Sequence, residues 1–195
     1  MSRLGFVIPR YFSGIAGGAE TLIASLALGA SHHGHDVEIL TTCAKDNRAW
    51  ENAFEPGTTV VNGVTVRRFP VDARDLETWI PLQIRISQGN RPSFEEQIRW
   101  MEEGVNSNGL YAYLGDQGDT FDLIFFGPYL FGTTFWGAQV RPARSVLIPC
   151  LHDESYAYLD CISALFRTVR GCLFNARGEA ELASRLYGGA CVGLS

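Results

Sequence analysis

A glycine-rich turn, Gly14-Ile15-Ala16-Gly17-Gly18-Ala19-Glu20, stands between a short apolar run and an apolar stripe at helical spacing. Glycines directly ahead of a helix leave its first backbone N–H groups open to close approach, so Gly17 and Gly18 have the make-up of an anion cradle. The spacing is not that of a dinucleotide fingerprint, because Gly-x-x-Gly-Gly replaces Gly-x-Gly-x-x-Gly. The acidic residue expected at the end of the next strand is missing as well, since Glu38 lies inside it. No Lys-Ser/Thr pair completes a P-loop. The plain alternative is a loop that only joins strand to helix.

A second candidate is His152, the one histidine outside residues 32–35, which is followed by Asp153 and Glu154. It comes just after an apolar run, at a strand's carboxyl end, where open α/β sheets place ligands. A histidine there can orient a hydroxyl or stabilise a departing phosphate, with Asp153 or Glu154 fixing its tautomer. The bland reading is a loop histidine bonded to backbone. Adjacent carboxylates do not flank a glycosidic bond, which sets glycosidase chemistry aside. No metal site is expected: His32 and His33 are neighbours rather than one helix turn apart, and His35 lies beyond the Gly34 stop. Aromatic residues follow several strand ends, among them Tyr11, Phe12, Tyr129, Phe131, Phe135 and Trp136, where a sugar or a lipid-linked ligand can stack. Phe125, Phe126 and Phe135 read better as core.

These residues need a scaffold, and the hydrophobic pattern supplies one. Leu4 to Pro9 is a run of the kind buried on both sheet faces. Ala19, Leu22, Ile23, Leu26, Ala27 and Ala30 give one helical stripe, and Val37 to Thr42 reads as the second strand. Thr59-Val60-Val61 and Val64 to Phe69 flank Asn62-Gly63, a strong hairpin signal. Residues 72–115 form a helical excursion, Asp75 to Ile86 and then Phe94 to Leu114. Asp122 to Phe126, Ser145 to Pro149 and Cys172-Leu173-Phe174 follow as strands, and Gly178 to Tyr187 as a helix stopped by Gly188-Gly189. Cys191 to Leu194 opens one more strand. The alternation predicts an α/β, doubly wound, mostly parallel Rossmann-like sheet with a β-hairpin and a helical excursion. Residues 1–195 read as a single such domain that ends at a domain boundary.

Composition narrows the partners. With 46% apolar residues, 195 residues bury a sizeable core. A net charge of −5, without basic runs, argues against a nucleic-acid grip and against polybasic membrane docking. The five cysteines fit neither a disulfide framework nor a zinc ribbon. No secretory leader is recognisable, and the uncharged stretch Leu123 to Val140 is broken by glycines and Pro128, so a cytoplasmic protein is expected. Trp79 to Leu82 and Trp100-Met101 would form an apolar patch for a partner or peripheral contact with a membrane, with burial the preferred reading.

Gly17-Gly18-Ala19-Glu20, the helix, and Gly34-His35-Asp36-Val37-Glu38-Ile39-Leu40-Thr41 resemble the opening of the group 1 (family 4) glycosyltransferases. Leu147 to Asp153 is similar to that family's strand ending in His-Asp. Phe174-Asn175-Ala176 to Gly188 is similar to a segment in which Asn or Ser precedes a helix ending in Tyr-Gly. The resemblance covers residues 4–42 and 145–194. It implies one half of a GT-B fold, on the acceptor side of a retaining enzyme that moves a sugar from a nucleotide-diphosphate donor to a carbohydrate or lipid-linked acceptor. The nucleotide sugar is then a co-substrate and no cofactor is needed. Gly17 and Gly18 would approach the donor diphosphate, while Tyr11, Phe12, Tyr129 and Asn175 would border the acceptor. A second, C-terminal domain with a Glu-x7-Glu motif would hold the donor, and this chain alone would be nearly inactive. The chain departs from the family at Phe125-Phe126-Gly127-Pro128-Tyr129, where many members carry a histidine. Two rivals stay open: a non-catalytic Rossmann-like module for a sugar phosphate or small anion, and a nucleotide-dependent oxidoreductase, which the loop spacing disfavours.

Overall fold

The computed structural model describes residues 1–15 and 17–188. The strand expected at Cys191 to Leu194, and Gly189 of the helix stop, lie outside the described residues. The strands are β1 (Arg3–Ile8), β2 (Asp36–Thr42), β3 (Gly57–Val61), β4 (Val64–Phe69), β5 (Leu123–Phe126), β6 (Ser145–Leu147) and β7 (Gly171–Cys172). They form one sheet in the order β3-β4-β2-β1-β5-β6-β7. All neighbours are parallel except the β3–β4 hairpin, whose Asn62 and Gly63 both take positive φ, as a tight hairpin turn requires.

Successive strand residues face opposite sides, and here both sides are apolar. Phe6 and Ile8 of β1 and Ile39 of β2 pack with Ile23, Ala24 and Ala27 of α1 (Gly18–His32). Val7, Leu40 and Phe126 pack into the opposite core. That second core is built by α2 (Leu76–Ser87), α3 (Phe94–Glu102), α4 (Asn108–Gln117), α5 (Gly132–Val140), α6 (Asp160–Thr168) and α7 (Arg177–Tyr187). The expected doubly wound α/β architecture is present.

Three differences have local causes. The helix expected from Phe94 to Leu114 is two helices. Asn106 sits at the break, its amide donating to the Met101 and Glu102 carbonyls at 2.8 Å each, while Ser107 caps the N-terminus of α4. Side-chain capping at both ends supplies the hydrogen bonds that a continuous helix would have made with itself. Helix α5 lies in the uncharged stretch after β5 and carries no amphipathic signature, because Gly132, Thr133, Thr134, Phe135, Gly137 and Ala138 are all buried. Among the described residues no helix is long and apolar enough to cross a membrane. Cys172 is disulfide-bonded, a pairing that cysteine spacing did not indicate, whereas Cys43, Cys150 and Cys161 are free.

The chain leaves β1 toward β2 and leaves β5 toward β6, in opposite directions across the sheet. A crevice therefore opens at the carboxyl ends of β1 and β5.

Candidate active-site cleft

At the end of β1 the chain runs through Arg10 into the glycine turn. Gly17 is extended and caps α1 without a side-chain hydrogen bond. Glu20, in the first turn of α1, folds its carboxylate back over Gly17, where a Cβ would collide with it. That carboxylate is held by Arg10, whose Nη2 donates to Oε1 at 2.6 Å. Arg10 also donates to the Lys45 carbonyl at 2.9 Å and lies over the Trp50 ring. Both partners of the ion pair are largely buried, yet Arg10 Nε has no hydrogen-bond partner among the described residues.

Arg10, Gly17 and Glu20 line a cleft of about 590 Å³. Its far wall comes from the helical excursion: Trp79, Ile80, Gln83, Trp100 and Met101. One amide organises that wall, since Gln83 accepts from the Trp100 indole N–H at 2.8 Å and donates to the Tyr156 hydroxyl at 2.7 Å. Trp100 and Tyr156 stack at 5.7 Å. The half-buried Tyr156 ring, backed by the buried Trp100, thus presents a fixed aromatic surface, which suits the apolar face of a sugar ring.

The rim is cationic. Arg48 and Arg74 line the cleft with Arg10, against the single carboxylate of Glu20. Arg48 follows a tight turn in which Asp46 accepts from the Arg48 and Ala49 N–H groups at 2.7 and 2.8 Å, bonds that hold the Asp46 carboxyl below its usual range. Arg74 stacks on Trp79 at 4.8 Å and donates from Nε to the Glu103 carbonyl at 3.2 Å. Burial pushes the Arg74 guanidinium below its ordinary range, partly offset by the charge of Glu103.

The end of β6 is arranged differently. His152 is exposed, does not line the cleft, and its ring makes no hydrogen bond among the described residues. Neither neighbouring carboxylate reaches that ring. Asp153 accepts from the Tyr158 hydroxyl at 2.6 Å and from Arg185 at 2.7 Å, which holds its carboxyl below the usual range. Glu154 accepts from the Tyr129 hydroxyl at 2.8 Å. Burial and Glu154 together push the Tyr129 phenol far up. Tyr129 and Tyr11 are both buried, with no ring face open to a ligand; Tyr11 accepts from Asn62 at 3.4 Å. Phe12 is half-buried against Phe54. Asn175 is exposed, its N–H donating to Glu179 and its amide reaching Cys150 Sγ at 3.7 Å. Glu179, a buried carboxylate on α7, accepts from Leu151 N–H at 2.6 Å and Asn175 N–H at 2.7 Å, and so ties the two loops together.

The fold has solved counterparts. It matches sucrose-phosphate synthase. The structure of that enzyme from Thermosynechococcus elongatus superposes with a TM-score of 0.58 at 15% identity, over 100% of this chain and 47% of the other. A second structure of the same enzyme gives 0.53 at 15% identity, over 97% of this chain and 84% of the other. The chain therefore spans about half the length of the first neighbour, and what is shared is the fold, a Rossmann-like α/β half of a GT-B architecture. No protein-family model matches the chain, and neither does any curated protein sequence.

Sequence reasoning missed the three arginines of the cleft and Gln83. Arg10 stands two residues after β1, and Arg48 two residues after Asp46, a turn former following β2; those are the signals that point to them. Nothing local marks Gln83 or Arg74, which reach the cleft only through the packing of α2.

Proposed function

We propose that this chain is the acceptor-side domain of a retaining glycosyltransferase that moves a sugar from a nucleotide-diphosphate donor to a carbohydrate or lipid-linked acceptor. The observation that carries the reading is the cleft. It lies at the switch point of a glycosyltransferase-like sheet, has an aromatic wall, and opens beside the glycine turn. On this reading the first N–H groups of α1, bared by Gly17 and Gly18, approach the donor diphosphate, where the positive end of the helix stabilises the leaving charge. Glu20 occupies the approach to Gly17 in the free protein and swings aside when phosphate arrives, leaving Arg10 to the anion. His152, whose ring is free on the loop after β6 but outside the cleft lining, is the candidate for orienting an acceptor hydroxyl that projects past the cleft. A donor-binding domain beyond Ser195, with Glu-x7-Glu, completes the cleft.

The test is transfer of labelled sugar from nucleotide-diphosphate donors by the full-length native protein, with the product's anomeric configuration read by NMR. Product with the donor's configuration supports the reading. Inverted product overturns retention, and phosphate-ester binding without transfer would favour the non-catalytic module.

A further inference from the structure

Most arginines of this chain are ion-paired to carboxylates, as Arg3, Arg67, Arg85, Arg99, Arg141 and Arg185 illustrate. Among the described residues Arg48 and Arg74 are not, and both face the cleft. Asp75, the next residue, accepts from the Thr78 N–H and hydroxyl, and Glu103, whose charge acts on Arg74, is engaged by Arg99 at 3.2 Å and by the Asp75 N–H at 2.8 Å. Asp46, next to Arg48, is occupied by its own turn. Two guanidinium groups that make no ion pair among the described residues, on one concave, aromatic-walled surface, make a site that selects for anions in an otherwise acidic protein. Arg10 adds a third, nine-tenths buried, with Nε unpartnered among the described residues. Carbohydrate hydroxyls alone are served by neutral or acidic partners, and this wall offers few: Asn47, Gln83, Tyr156 and Glu20.

Resting on the glycosyltransferase reading, we infer that the acceptor is a phosphate ester: its phosphate is gripped by Arg48 and Arg74, and its body lies on Trp79 and Tyr156. The two arginines are specificity-determining residues, one free at the rim and one braced by Trp79. A soluble sugar phosphate and a phospholipid headgroup share this chemistry. The exposed apolar residues Leu76 and Ile80, which border the cleft on α2, are where an acyl chain would leave.

Binding to the purified protein without donor tests the inference, read by tryptophan fluorescence because Trp50, Trp79 and Trp100 line the cleft. The probes are glucose, glucose 6-phosphate and monomeric dihexanoyl phosphatidic acid. Expected is a preference of about tenfold or more for a phosphate ester over glucose, falling by about tenfold in Arg48→Gln and in Arg74→Gln. Arg74→Lys, which keeps the charge, retains part of the preference. Tighter binding of glucose 6-phosphate assigns a soluble acceptor, and tighter phosphatidic acid a lipid one. Equal binding of glucose, absence of phosphate-ester binding, or an Arg48→Gln protein that binds like the parent overturns the inference. So does UDP that competes with glucose 6-phosphate and loses affinity in both variants, for the arginines then serve the donor. None of these readouts needs turnover, so failed transfer leaves the anion site standing, and a failed anion site leaves transfer untouched.

Discussion

The two strand ends that carry polar residues in this sequence are built on opposite principles. At the end of β1 the charged groups face a cavity: Arg10 and Glu20 hold each other beside Gly17, and Arg48 and Arg74 make no ion pair among the described residues. At the end of β6 the charges are used up internally. Asp153 is bound by Tyr158 and Arg185, Glu154 by Tyr129, and Glu179 by two backbone N–H groups. Satisfied polar groups fix a loop in place, whereas unsatisfied ones on a concave surface await a ligand. The first end is thus where binding is sought, and the second is a brace that holds His152 and the adjoining loop.

The largest expected effect breaks the first region alone. Gly17→Val drives a side chain into the Glu20 carboxylate and closes the backbone to phosphate, so turnover by the full-length protein should fall by about a hundredfold or more. Its unfolding midpoint should stay near the parent's. Unchanged turnover would remove the glycine turn from the mechanism. Next comes the brace: Glu179→Ala leaves the Leu151 and Asn175 N–H groups without their carboxylate and should lower stability by about 2 kcal/mol in urea titration. Loss of binding without loss of stability would instead make Glu179 part of the ligand site. Glu20→Gln removes the charge that faces Arg10 while keeping its shape, and should raise affinity for phosphate several-fold in the fluorescence titration. Weaker binding would mean that the carboxylate helps the ligand.

The smallest effect concerns acid. Asp153 has its folded pKa depressed by the Tyr158 hydroxyl first and Arg185 second. A depressed carboxylate stabilises the fold above its unfolded pKa, near about 4, and loses that contribution as pH falls through the folded value. Tyr158→Phe should therefore differ from the parent in melting temperature at neutral pH and converge with it at about pH 2. A constant difference across that range would assign the effect to packing.

Local pattern was enough for β1, α1, β2, the hairpin and α7. Each is an apolar run or stripe bounded by Gly, Asn-Gly or a strand end, so its signal is contained within a few neighbouring residues. Helix α5 escaped because a helix buried on all sides shows no period. The break near Asn106 escaped because capping competes with helix continuation residue by residue.

By itself the sequence determined the doubly wound alternation, the glycine turn and its place after the first strand, for these rest on periodicity and backbone freedom along contiguous residues. Only the tertiary structure decided which side chains meet. Arg10, Arg48 and Arg74 come from three different segments, and they converge because the sheet order sets β1 next to β2 and folds α2 across their carboxyl ends. His152, Asp153 and Glu154 are consecutive in sequence, yet their side chains part to different partners, because a loop leaving a strand turns each residue toward whatever donor packing has brought there.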